Sequence, residues 1–141
     1  MSIAAYRSTL RRTEAPRDLE RRILVDAAAR LEAHAAAHAA DASRGARLAL
    51  LSGGLHDALV ANQACWRALR QDVSEGGNGL PPDLRAALVS LAIWVDRQTG
   101  DLLGGGGSIA PLVDLNRTVA AGLARTAVTG SPEEAAPCPS S

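Results

Sequence analysis

The residues best equipped for chemistry in this chain are three histidines and two cysteines. His34 and His38 stand four apart, which puts both imidazoles on one helix face at the spacing two metal ligands use, with Glu32 or Asp41 in reach and His56 on the following segment. The pair lies in an alanine-rich run without the intervening Glu of a metalloprotease helix, so a solvated helix face is expected and no metal or cofactor is assigned. Cys65 has Trp66 beside it but no anchored base, and Cys138 falls in a Pro/Ser-rich end, so neither reads as a nucleophile nor as part of a disulfide framework. The run Gly104 to Gly107 lacks both the Gly-Lys-Ser/Thr sequel and the preceding strand of a phosphate loop, and reads as a linker. No catalytic residue is expected. The chain reads as a non-enzyme.

Two asparagines and two tryptophans carry more information. Asn62 and Asn116 each interrupt an otherwise apolar helical stripe, where an amide must find hydrogen-bond partners if it is buried. Either they meet inside the protein and fix its register, or they recognise the backbone of a partner. Trp66 and Trp94 stand out in a chain whose only other aromatic ring is Tyr6. At helical spacing a Trp belongs in a core, but it is also a favoured anchor in a groove.

The elements that position these residues follow from apolar periodicity. A short helix over 2–13 would align Ile3, Tyr6 and Leu10. Pro16 suits a first helical turn, and a long helix over about 16–43 places Leu19, Ile23, Ala27, Leu31 and His34 or Ala35 on one face. From 46 to 74 the stripe reads Leu48, Leu51, Leu55, Leu59, Asn62, Trp66, Leu69 and Val73. Gly53 and Gly54 interrupt it at about 1 kcal/mol each, so the helix bends there or starts there with Ser52 as cap. Pro81 and Pro82 open a helix over 81–103 with Leu84, Leu88, Leu91, Val95 and Leu102 on one stripe and Ala86, Val89 and Ile93 on a second. A last helix over about 109–126 turns Ile109, Leu112, Asn116, Val119 and Leu123 inward, and 129–141 is too poor in apolar residues to order. The expectation is an all-α fold, a single bundle of four to five mostly antiparallel helices in one domain spanning 1–128.

Composition narrows the function classes. The fifteen basic residues are all Arg and are interleaved with fifteen carboxylates, so no basic stripe exists to hold nucleic acid. No uncharged stretch approaches the roughly 20 residues of a membrane span, and the start has no signal-peptide core. A cytoplasmic location is expected.

Three ordered blocks, "LHDALVANQACWRALRQDV", "NGLPPDLRAALVSLAIWVDRQTGDLL" and "LVDLNRTVAAGL", resemble the FlaF proteins of alphaproteobacterial flagellar systems. The matching features are Asn62 with Trp66, Asn78 with Leu80-Pro81 and Leu84-Arg85, the Ser90 to Arg97 run, and Asn116-Arg117 followed by Gly122-Leu123. The resemblance implies a non-enzymatic flagellin-binding chaperone for export and assembly and a positive regulator of flagellin synthesis, working beside a FlbT-type regulator. An alternative is a post-transcriptional regulator of flagellin messenger RNA acting with that protein. Partner contact or its support is expected from Asn62, Trp66, Arg85, Leu91, Trp94 and Asn116.

The segment Ala86 to Val95 is ten residues without a charge, and its helix is apolar nearly all round. Such a helix needs neighbours on every side. Either an amphipathic terminal segment of flagellin completes the last side, or residues 2–13 do.

Overall fold

A computed structural model describes residues 16–75 and 79–129. The expected helix over 2–13 and the expected disordered tail lie outside these residues, apart from Thr129. The described residues are helical with no strand: α1 (Pro16–Glu32), α2 (Ala35–Ala40), α3 (Arg44–Leu50), a π turn (Leu51–Leu55), α4 (His56–Ser74), α5 (Pro82–Leu103) and α6 (Ala110–Thr129).

The first long helix is shorter than its periodicity suggests. It stops at Glu32, where the His34 N–H donates to the Leu31 carbonyl in a tightened turn, and α2 follows. Alanine favours helix everywhere in this stretch, so nothing in the residues themselves marks the break. At the break the His34 ring lies against Gly54, where a Cβ would sit 3.2 Å from the imidazole Cε1. Gly54 has φ +111°, a left-handed conformation that a side chain would strain. The glycine pair is therefore a kink: α3 has already begun at Arg44, capped by Ser43 Oγ accepting from the Ala46 N–H.

α5 starts as its two prolines dictate, with Pro82 in the first turn. The four-glycine run after it is an ordered turn. The Gly106 N–H donates to the Asp101 carbonyl at 2.9 Å, and Gly105, at φ +90°, approaches Arg44 Cγ so closely that a Cβ would stand 3.0 Å away.

α1, α4, α5 and α6 form the bundle and alternate in direction. Arg17, at the start of α1, meets Asp72, near the end of α4, at 3.4 Å, and Gln63 of α4 donates to Asp96 of α5. The core runs through Leu24, Leu31, Leu59, Trp66, Val95 and Leu123. α6 packs along α1, α1 also packs on α4, and α4 packs on α5. α5 and α6 are joined by a short turn and share few close backbone contacts.

Candidate functional site

The centre of the bundle holds a polar cluster drawn from three helices. Asn62 and Trp66 lie one turn apart on α4, and Asn116 faces them from α6. Asn116 and Asn62 have no exposed surface and Trp66 almost none. The Trp66 indole N–H donates to Asn116 Oδ1 at 2.8 Å. The Asn116 amide in turn donates to Asn62 Oδ1 at 2.7 Å and to the Leu24 carbonyl of α1 at 3.1 Å. One side chain thus bridges α1, α4 and α6. Within this cluster Asn62 Nδ2 is buried without a partner among the described residues. The structure brings these three residues together inside the protein, so they can support a binding surface without touching its ligand.

Arg85, Leu91 and Trp94 sit on α5, all half-buried. Arg85 forms no ion pair with Asp83 or Asp96 among the described residues; Asp96 accepts from Gln63 Nε2 at 3.1 Å instead, and Arg85 Nε is buried without a partner. Leu91 lies on the wall of an apolar trough of about 480 Å³ between α5 and α6. Leu84 and Leu88 continue that wall, and Val119, Gly122 and Leu123 of α6 form the other. Trp94, three residues beyond Leu91, packs against the core and does not line the trough.

A second trough of about 520 Å³ separates the outer edges of α1 and α4. Leu19 and Ile23 form one rim, and Ala61, Ala64, Cys65 and Ala68 form the other. Of the stripe expected on the inner face, Ala27 and Leu31 are buried but Leu19 and Ile23 are 49% and 42% exposed, because α1 turns Leu24 and Ala28 toward the core beside Leu31. The Leu24, Ala28, Leu31 spacing is equally helical and was the signal for the true inner face.

Glu20 lies on the wall of this second trough, beside Arg17 at 3.0 Å. Burial, then the hydrogen bond and charge of Asp72, push its carboxyl up to about 7 against the opposing pull of Arg17. Cys65 is pushed up to about 11, first by burial and then by the Glu20 charge. On the far side of the bundle Arg117 and Glu32 form an exposed two-point pair at 2.7 and 3.0 Å, which lowers the Glu32 carboxyl.

The histidines do not converge. His38 is buried with Nε2 unpartnered, and burial, then the Arg47 charge, lowers its pKa. His34 packs on Gly54, and His56 points to an exposed Asp57. Among the described residues no three His, Cys, Asp or Glu side chains are grouped to hold a metal ion, and no helix is long and apolar enough to cross a membrane.

The family model described as "Flagellar protein FlaF" matches residues 2–123. No curated protein and no solved structure matches the chain.

Proposed function

This chain belongs to the FlaF family of flagellar proteins, and from that premise we propose that it is a flagellin-binding chaperone for export and assembly and a positive regulator of flagellin synthesis. The client is an amphipathic terminal segment of flagellin, received as an added helix in the trough between α5 and α6. The observation that carries this reading is the trough itself. Leu84, Leu88, Leu91, Val119 and Leu123 line an open apolar trough between two helices that share few close backbone contacts, and an apolar helix face is the kind of ligand such a groove takes.

Mechanism follows from the materials of the walls. They are mostly aliphatic, with Thr118 and Arg125 on the α6 side, so the affinity comes mainly from burying apolar surface at about 25 cal/mol per Å² and has little directional demand. A groove of this kind suits the apolar stripe of a client helix before that stripe finds its place in a filament. No covalent step is involved, and release requires only a better partner. The Asn62, Trp66 and Asn116 cluster acts behind the trough, holding α6 against α1 and α4 so that one wall is fixed. Any effect on flagellin messenger RNA passes through a FlbT-type partner in this reading, since the arginines are spread among carboxylates.

Co-expression with flagellin followed by size exclusion tests the proposal. The wild-type chain is expected to elute as a heterodimer, and Leu91→Asp or Val119→Asp, each still helical by circular dichroism, is expected to elute alone. Folded variants that retain flagellin would remove the trough from the mechanism. A wild type that never co-elutes would remove the chaperone.

A further inference from the structure

The trough between α1 and α4 is unused by that mechanism, and its exposed rims need a different occupant. We propose that residues 2–13 of this same chain dock there as an amphipathic helix, antiparallel to α1, with Ile3, Tyr6 and Leu10 seated between Leu19 and Ile23 on one side and Ala61, Ala64 and Ala68 on the other.

Chain path favours this segment. It joins α1 at Pro16, one turn before Leu19 and Glu20, where the trough opens, so only residues 14 and 15 remain to reverse direction. Two residues suffice for the turn of an antiparallel helix pair.

Dimensions agree as well. Ile3 to Leu10 is seven residues, or about 10 Å of helix, and Ala61 to Ala68 on the facing wall is the same length. The alanines leave room for the larger Ile, Tyr and Leu, so large side chains on the segment meet small ones on α4.

Patterning agrees too: Arg7, Arg11 and Arg12 stand off the Ile3, Tyr6 and Leu10 stripe, so seating that stripe buries no charge. The matched family span begins at residue 2, so the family domain includes this segment as well as the bundle. The inference is independent of flagellin.

Tyr6 is the only tyrosine, which makes the test direct on the unmodified chain. In the full-length protein with labelled methyl groups, the Tyr6 ring is expected to show nuclear Overhauser contacts to methyls of Ile23, Ala61, Ala64 or Ala68. Leu10→Asp is expected to abolish them while the Trp66 indole N–H resonance stays in place, showing an intact bundle. Contacts from Tyr6 to Leu84, Leu91 or Val119 would overturn the placement. Contacts seen only between differently labelled copies in a mixed sample would overturn it in favour of a second copy, and a Tyr6 ring with random-coil shifts and no contacts would overturn docking altogether.

Discussion

Replacing Asn116 by Ala tests whether the buried polar cluster holds the bundle together. The change leaves the Trp66 indole N–H without its acceptor and Asn62 Oδ1 without its donor, both in the fully buried centre. Each orphaned group costs about 1–3 kcal/mol, and the vacated volume adds to that, so the loss is about 3–5 kcal/mol. Against a typical total of about 5–15 kcal/mol this is large. Asn62→Ala should cost less, because Asn116 Nδ2 keeps the Leu24 carbonyl and the unpartnered Asn62 Nδ2 disappears. Urea denaturation followed by far-ultraviolet circular dichroism measures both. The sharper readout is a double-mutant cycle with Trp66→Phe. Alone, Trp66→Phe strands Asn116 Oδ1; in the Asn116→Ala background it removes a stranded N–H, so its cost should shrink by roughly 0.5–3 kcal/mol. Additive costs, or an Asn116→Ala loss below about 1 kcal/mol, would refute the reasoning.

Gly54→Ala should destabilise by about 1–3 kcal/mol, through positive φ and the contact with His34, whereas Gly53→Ala, at φ −87° with open space around it, should be neutral or slightly stabilising by thermal melts. In a Cys138→Ser variant, Cys65 should react with a disulfide reagent at pH 8 roughly 100-fold more slowly than an ordinary thiol, since burial and Glu20 raise its pKa from 9.0 to about 11 and deplete the thiolate; denaturing urea should restore the ordinary rate, and fast reaction in the native state would contradict the burial. Amide exchange followed by mass spectrometry should find α4 and α6 slowest around Asn62 and Asn116 and the trough-facing half of α5 faster, and equal protection across α5 would count against a loosely held wall.

Much of the fold is legible where one stripe of residues meets one core. From Leu55 through α4 the run Leu55, Leu59, Asn62, Trp66, Leu69, Val73 is buried throughout, as its three and four residue steps require, whereas Leu48 and Leu51 at the head of the same stripe are exposed and half-buried. α1 was harder, because a helix with apolar residues on two faces does not reveal which face turns inward; Leu19 and Ile23 compete with Leu24 and Leu31. The break at Ala33 and His34 is invisible because alanine favours helix on both sides of it, and His34 meets Gly54 only in the folded chain, about twenty residues away. The asparagines were recognisable as buried polar residues, but their pairing spans 54 positions and only the fold brings it about. The trough on α5 is harder still, since it depends on how closely α5 and α6 approach, which no stripe of residues reports.

The wiring of the polar cluster sets α5 apart from the other three helices of the bundle. Asn116 ties α6 to α4 through Asn62 and Trp66, and to α1 through the Leu24 carbonyl, yet it makes no bond to α5. Three helices therefore share a directional lock, which penalises sliding or rotation by leaving buried amides unpaired. α5 is held differently, by apolar contact with α4 and the Gln63 to Asp96 hydrogen bond. Apolar contact has no preferred direction, so a small tilt of α5 exchanges one set of contacts for another at little cost. Much of the uncharged stretch of α5 has a surface to meet: Leu88, Ala92 and Val95 are buried in the core, Leu88 and Leu91 line the trough, and Trp94 packs at the core's edge, whereas Ala86, Ser90 and Ile93 are exposed. A charge among the core-facing or trough-facing positions would have to be desolvated on packing or on binding, and that cost is reason enough for the sequence to carry none there.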